Sequence, residues 1–445
     1  NTVYDQNYQR LTGAAVRYIG NQTLKQSSDG QWHASANLIT SPEQGVFYNC
    51  SNFSTLNVGP NLQGIGNYAF YGCGALKSIT LGDNLRVIGN SAFQNCQRLE
   101  QVNLNVENLI QKLGDHAFAG CSALLQFTVP ISVTSIGDSA FEGCSALTDF
   151  DLCSGGINNQ LQEMGWDVFK NCSSLKSVTF PASFDKTLDI STFVGCFALE
   201  KIAAWNGSMT FTEGNGYDTK LYSIKKFREQ LADDNDDVSF YFEGLTNSAL
   251  YQTAKKNFIA FSHVMYNSDT RQYEKQDKYE LTVDASTDGS GSPSMTYMVN
   301  SSGTLIGKVP NGNVTNLVIP NKIGPYGITA ITDGLFRDYC YLETVTIPAA
   351  VKSVGADAFK GCHNLKNVIF KSTDLSIGAE AFKTQENSGH ELGCTTKGNM
   401  TGADNLPTVQ LHFTGEISPE SAPFNYAMSS SGRYNNRSQK ESYIT

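Results

Sequence analysis

The apolar positions of this chain recur at a fixed period. In "NYAFYGCGALKSITL", residues 67–81, Phe70 is followed by Cys73 and then by Leu76, Ile79 and Leu81. The arrangement returns at "SAFQNC", "HAFAGC" and "SAFEGC". The recurring Phe residues are 47, 70, 93, 118, 141, 169 and 193, spaced 23, 23, 25, 23, 28 and 24 apart; the series resumes at 336, 359 and 382, again 23 apart. Ile65, Ile88, Leu113, Ile136, Met164, Leu188, Ile331, Val354 and Ile377 each precede such a Phe by five positions. Gly and then Asn or Asp often follow, as in "IGNYAF" and "LGDHAF". Gly suits a tight turn there, and Asn or Asp can cap a short helical turn. The segment Leu76, Ile79, Leu81 repeats as Leu99/Val102/Leu104, Leu124/Phe127/Val129, Leu147/Phe150/Leu152, Leu175/Val178/Phe180, Leu342/Val345/Ile347 and Leu365/Val368/Phe370. Its last two apolar positions flank a more polar one, which is strand periodicity. Each unit therefore predicts one short strand and one helical turn.

Neither element can bury its apolar face alone, but stacked units share a continuous core. A period of 20–29 residues with Leu-x-x-Leu-x-Leu is the leucine-rich-repeat signature. The expected fold is an α/β solenoid in two arrays, with non-repeat caps and a linker. Phe and Cys take the same inward station in every layer, Phe as volume and Cys as a small apolar filler. Metal ligation would bring cysteines together as Cys-x-x-Cys, which is not found. Layers about 5 Å apart would bring neighbouring cysteines near disulfide range. Their side chains would run parallel, however. Tyr339 and Gln385 also hold the station in two units, with Cys340 displaced by one. The expectation is free core thiols. Eleven cysteines leave at least one unpaired within the chain. Cys153 and Cys394 lie off the ladder and are the candidates for reactivity.

The unit "xAFxxCxxLxxIxI", running over about 46–203 and 314–385, resembles the BspA-type leucine-rich repeats of bacterial surface and secreted proteins. The resemblance implies a secreted or cell-surface protein linked to adhesion and to binding of a host or extracellular protein or glycan.

The pattern divides the chain into an N-terminal cap (1–45), a first array (46–203) and its C-terminal cap (204–265). A linker (266–293), a second array with an insertion (294–427) and a polar tail (428–445) follow. Within the cap, 221–237 predicts an amphipathic helix, 238–244 a strand and 249–264 a second helix. "YELTV" (279–283) fits one strand inside the linker, and 405–413 one more strand in the second array. No starting Met or signal-like apolar segment is present, so Asn1 reads as a processed or trimmed end.

A composition of 40% hydrophobic and 17% charged residues is that of a folded protein. The formal net charge of -10 argues against a nucleic-acid partner, which needs a basic face. Residues 294–445 carry 12 basic and 12 acidic residues, so the whole acidic excess lies before them. No apolar run is long enough to span a membrane. "DDNDD" (233–237) lacks the oxygen-ligand alternation and central Gly of a calcium loop. His390 and Cys394 sit among glycines, which disfavours a helical metal pair. No metal, cofactor or catalytic residue is expected, and the chain reads as a non-enzyme.

What remains is a surface. The polar residues between the last two apolar positions of each unit would line the concave sheet face. The candidate ligand-binding set is Asn57, Thr80, Asn103, Thr128, Asp151 and Thr179, continued by Ala203, Thr346 and Ile369. Trp32, Trp166 and Trp205 could stack on sugars, although Trp166 is expected to pack on the convex side. The competing readings are an architectural spacer without its own ligand and a glycan-processing accessory or enzyme.

Overall fold

A computed structural model describes residues 47–51, 54–58, 62–104, 108–152, 159–212, 224–232, 239–270, 272–285, 293–372, 374–383 and 410–413, with five two- or three-residue strands before residue 47. The chain divides into two compact units. One comprises Asn1–Asp236, Phe240–Asn257 and His263–Lys275; the other comprises Asp237–Ser239, Phe258–Ser262 and Gln276–Thr445.

In the first unit most turns contribute two strands rather than one. The Leu-x-x-Ile-x-Leu segments give a parallel ladder of Thr55–Asn57, Ser78–Thr80 and Gln101–Asn103. A second run of the same ladder holds Asp149–Asp151, Ser177–Phe180, Lys201–Ala204 and Tyr241–Leu245. The aliphatic residues ahead of each Phe form another parallel ladder. It runs through Gly64–Ile65, Val87–Ile88, Lys112–Leu113, Ser135–Ile136 and Glu163–Met164. Ile65, Ile88, Leu113, Ile136 and Met164 are successive partners in it.

The expected helical turn forms at Phe193, as the 3-10 helix Ile190–Phe193 capped by Asp189, but not at the earlier Phe residues. The residue two before Phe is left-handed at Tyr68, Ser91, His116, Ser139 and Asp167, and the residue two after it at Asn49, Gly72, Asn95, Gly120 and Gly143. Two left-handed residues within five positions are incompatible with a helix. The turn's N–H groups instead donate to the next layer, as Phe70 N to Ala92 O (2.8 Å) and Gly72 N to Gln94 O (2.8 Å). The repeats are thus a β-solenoid. The described α-helices, Ile224–Gln230 and Ala249–Lys256, lie outside the repeats, and a short 3-10 helix covers Ile190–Phe193.

At Asn67, Asn90, Asp115 and Asp138 the residue before the turn bonds between layers rather than capping a helix. Asn90 N donates to Asn67 Oδ1 (2.8 Å), Asp115 N to Asn90 Oδ1 (3.1 Å), Asp138 N to Asp115 Oδ1 (3.1 Å) and Trp166 N to Asp138 Oδ1 (2.8 Å). The preceding Gly is required by proximity. A Cβ on Gly114 would lie 2.5 Å from Asn90 N, inside contact distance.

The core is a column of rings with a rail of thiols beside it. Phe47, Phe70, Phe93, Phe118 and Phe141 stack at centroid separations of 5.0, 5.1, 5.1 and 5.3 Å. Phe141 and Phe169 are 6.5 Å apart because Phe150 meets both edge-on at 4.8 Å. Each Cys thiol donates to the carbonyl of the Phe one layer earlier. Cys73 reaches Phe47 O (2.9 Å), Cys96 reaches Phe70 O (3.1 Å), Cys121 reaches Phe93 O (3.1 Å), and Cys144, Cys172 and Cys196 repeat the contact at 3.0–3.2 Å. The cysteine is a hydrogen-bond donor at a buried station, more than the apolar filler expected from the sequence. Cys50, Cys73, Cys96, Cys121, Cys144, Cys172, Cys196 and Cys362 are free thiols, as expected. Cys340, one residue off the station, is disulfide-bonded, which departs from that expectation.

The rail ends on a side chain that imitates another layer. Gln230, on the helix Ile224–Gln230, donates from Nε2 to Phe193 O (3.0 Å), and its Oε1 accepts from Gly195 N (3.3 Å). Phe227 of the same helix meets Phe193 at 6.3 Å. The helix Ala249–Lys256 begins at Ser248, whose side chain accepts from Tyr251 N (3.1 Å). It ends earlier than the period suggests, because Phe258 is left-handed, and Ala260–Asn267 is a strand instead.

The second unit repeats the plan. Asn316–Val318, Thr344–Ile347, Asn367–Phe370 and Gln410–Phe413 form one parallel ladder, and Ala330–Ile331, Ser353–Val354 and Ser376–Ile377 another. Phe336, Phe359 and Phe382 stack at 4.8 and 5.2 Å, and the Lys308 ammonium lies 5.5 Å above the first ring. The stretch read as a linker contains the 13-residue strand Gln272–Asp284, which pairs antiparallel with Ser294–Val299. The N-terminal cap's side chains, the acidic run, the insertion at 386–405, the tail, Cys153 and Cys394 lie outside the described residues.

Two outcomes follow for the thiol rail. Cys121→Ser keeps a donor to Phe93 O and Cys121→Ala does not. Urea unfolding is expected to show the Ala variant less stable than the Ser variant by about 1 kcal/mol, and equal stabilities would deny the bond its role. Burial pushes the Cys196 and Cys362 thiols up to about 12, from an ordinary value of 9.0. The folded state therefore holds protons that the unfolded chain releases first. The stability these thiols contribute is intact below pH 9 and lost between pH 9 and 12. The thermal midpoint should fall over that window, and less steeply in a Cys196→Ala, Cys362→Ala double variant.

Candidate binding surface

The strand ladder aligns the predicted residues in a row. Asn57, Thr80 and Asn103 are consecutive register partners, and all three are exposed while Leu56, Ile79 and Val102 beside them are buried. Asn103 Nδ2 lies 3.4 Å from Thr80 Oγ1. Asp151 and Thr179 are partners further along, and Thr179 is half-buried. The Asp151 side chain lies outside the described residues. Ser177 Oγ donates to Asp149 Oδ1 (3.1 Å) one step away on the same row of strands.

The row extends further than the sequence indicated. Thr179 pairs with Ala203 and Ala203 with Glu243. The strand signal in "VSFYFEG" was legible, but the loss of period concealed that it joins the same ladder. Glu243 is 4% exposed, with Lys275 Nζ 2.9 Å and Lys201 Nζ 3.4 Å from its two oxygens. Trp205 stacks on Tyr273 at 5.3 Å, and the Lys275 ammonium lies 5.5 Å above the Tyr241 ring. In the second unit Thr346 and Ile369 are register partners, flanked by Val318 and His412.

Between Asn103 and Thr128 the ladder opens. Gln101–Asn103 is the last strand of its sheet, and Gln126 makes only an isolated bridge onward to Asp149. The opening is a depression of about 210 Å³ lined by Gln101, Val102, Asn103, Leu104, Gln126 and Thr128. Two of the six predicted residues thus meet at one concavity, while the other four lie along the row on either side.

Trp166 departs from its expected packing. It is 56% exposed and takes the corner station held by Asn or Asp in other layers, its N–H donating to Asp138 Oδ1. The Trp32 side chain lies outside the described residues. Among the described residues no group of three His, Cys, Asp or Glu is placed to hold a metal, and no helix is long and apolar enough to cross a membrane.

Removing the carboxylate at the end of the row strands two ammonium groups. Glu243→Ala should cost about 2 kcal/mol of stability in chemical unfolding, reduced from the fully buried case because both lysines reach solvent. An unchanged midpoint would show the pairs to be incidental.

No curated protein sequence matches the chain. Among solved structures, it resembles a leucine-rich repeat protein of T. pallidum (21% identity, 48% of this chain and 94% of that one, TM-score 0.34). It also resembles a leucine-rich cell surface protein of Faecalibacterium prausnitzii (19%, 80% and 76%, TM-score 0.36) and a leucine-rich repeat protein of Bacteroides ovatus (17%, 85% and 87%, TM-score 0.29). Likenesses of that size carry no functional argument. The family described as the BspA type leucine rich repeat region matches residues 17–148, 111–233 and 311–392, in 6 copies. With that coverage and the layered geometry above, the chain belongs to the BspA-type leucine-rich repeat family.

Proposed function

We propose that this chain is a non-catalytic interaction module of a secreted or surface-displayed protein, and that it binds an extracellular macromolecule through the outward row of its first strand ladder. The observation that carries this reading is the alternation within that row. In Thr55–Asn57, Ser78–Thr80 and Gln101–Asn103 the central residue is buried, and Asn57, Thr80 and Asn103 face solvent in register. A flat array of short polar side chains on a stiff sheet loses little conformational entropy on contact, which suits a broad interface. Asn57, Thr80, Asn103, Thr128, Asp151 and Thr179 are its assigned contact residues. The non-catalytic reading is supported by an interior filled with stacked rings and by thiols that are buried and engaged as donors. Burial holds the Cys144 and Cys172 thiols well above the ordinary range, away from the thiolate a nucleophile needs.

The test is a binding screen of the purified chain against extracellular-matrix proteins and a glycan array, run beside Thr80→Arg and Thr179→Arg. A partner whose affinity falls about tenfold or more in these variants places the interface on the row. A partner indifferent to both moves it elsewhere. Absence of any partner leaves a spacer as the better reading.

A further inference from the structure

We infer that Asn311–Gly312 is a site of spontaneous covalent modification, where the Asn311 side-chain amide is converted through a cyclic imide to aspartate and isoaspartate. This site lies in the second unit and is independent of the interaction reading above.

The chemistry needs two neighbouring groups and water. The main-chain nitrogen of the residue after an asparagine gives its proton to hydroxide and attacks Cγ. A C–N bond forms, the Cγ–Nδ2 bond breaks, and ammonia leaves with a proton taken from water. Water then opens the cyclic imide at either carbonyl, and no electrons are gained or lost. Glycine is the most permissive follower, because no side chain crowds its nitrogen and its backbone turns freely. The asparagine side chain must also swing back onto its own backbone. A side chain held by hydrogen bonds has to release them first.

The described asparagines differ on that criterion. Asn-Gly occurs at 206, 215 and 311, and Asn215 lies outside the described residues. Asn206 is held at both ends of its amide. Its Nδ2 donates to Ala182 O (2.7 Å) and its Oδ1 accepts from Ser208 N (2.7 Å). Gly207 is anchored too, its carbonyl accepting from Ala249 N (2.8 Å). Asn267 and Asn300, each followed by serine, are held in the same way. Asn267 Nδ2 donates to Glu274 Oε1 (2.7 Å), and its Oδ1 accepts from Asp269 N (2.9 Å). Asn300 Oδ1 accepts from Ser302 N (3.2 Å) and Thr304 N (2.9 Å).

Asn311 is the exception. It ends the strand Thr304–Asn311, and both it and Gly312 are exposed. Its side chain makes one long contact, Nδ2 to Ser294 Oγ at 3.4 Å, and its Oδ1 has no partner among the described residues. The Gly312 N–H has no acceptor among them either, and Gly312 is left-handed, with φ 82°. The modification would place a carboxylate where the sequence has a neutral amide. Isoaspartate also carries the main chain through the former side chain and lengthens it by a carbon. That carbon falls between the last register pair, Asn311 with Ser294, and the Val314 N–H that donates to the Tyr339 hydroxyl (3.1 Å).

The test is peptide-map mass spectrometry of the full chain held at mildly alkaline pH, folded in buffer and unfolded in guanidinium chloride. Acid formation is read at residues 206 and 311 in both samples. In the folded chain Asn311 should convert about tenfold or more faster than Asn206, whose two hydrogen bonds must break first. In denaturant the two positions should convert at equal rates. Aspartate and isoaspartate should both appear at 311, and their rate of formation should climb with hydroxide concentration. Asn311→Gln should abolish the product there and leave the rate at Asn206 unchanged. A folded chain in which Asn311 is as slow as Asn206 would overturn the inference. Fast conversion at both positions, or a faster rate at Asn206, would overturn it by denying the hydrogen bonds their control. A preference for Asn311 that persists in denaturant would do the same, because the fold would not be its source.

Discussion

The structure depends on one carbonyl being satisfied twice. The oxygen of each repeat Phe from Phe47 to Phe169 accepts from the Cys N–H of its own turn, as Cys96 N to Phe93 O at 3.1 Å, and from the thiol of the next layer's Cys, as Cys121 to Phe93 O at 3.1 Å. The first bond closes the tight turn and the second binds that turn to its neighbour. A left-handed turn buried against aromatic rings has no water to serve its second lone pair, and an unsatisfied buried acceptor is costly. The thiol is small enough to sit beside the ring column and still donate. The Phe stack and the Asn/Asp rail then follow from the same vertical alignment. Where the series ends in the first unit, Gln230 supplies the missing donor.

Much of this was legible in the sequence, and the limits have physical causes. Ten Phe positions at near-constant spacing announced stacked layers, because only a repeating burial problem demands a repeating solution. The second strand of each layer was hidden, since two residues such as Val87–Ile88 are too short to display an alternating period. The turn was misread as helical because Asn and Asp serve both caps and left-handed corners. Only the left-handed φ of Ser91 and Asn95 distinguishes the two. The role of Cys was hidden for a different reason. Composition identifies sulfur as apolar, and only geometry reveals where its proton points.

The binding face was legible as a row but not as a site. Asn57, Thr80 and Asn103 were placed by counting within each unit, and register pairing sets them side by side. The opening at Val102 was present in the sequence as a longer interval, 25 residues between Phe93 and Phe118 rather than 23. The two extra residues fall between Leu104 and Leu113, directly after the strand that loses its partner. The 28-residue interval that follows Phe141 leaves its ladder intact, with Asp149–Asp151 still paired to Ser177–Thr179. Length alone therefore could not reveal which insertion opens the sheet.

Each kind of bond between layers keeps one direction from step to step. The Asn or Asp oxygen of one layer receives an N–H from the next, and the thiol of the next layer returns to the Phe carbonyl before it. Every layer consequently presents the same set of donors and acceptors to its successor, and any two layers fit in the same sense. A whole unit can be copied or removed without orphaning a single group, and residues gained between the rails leave them whole, as the thiol bonds of Cys121 to Phe93 and Cys172 to Phe141 show across intervals of 25 and 28 residues. Such a chain lengthens in steps of a complete turn, and its reach from an anchoring point can be altered by duplication while the chemistry of every existing layer stays the same.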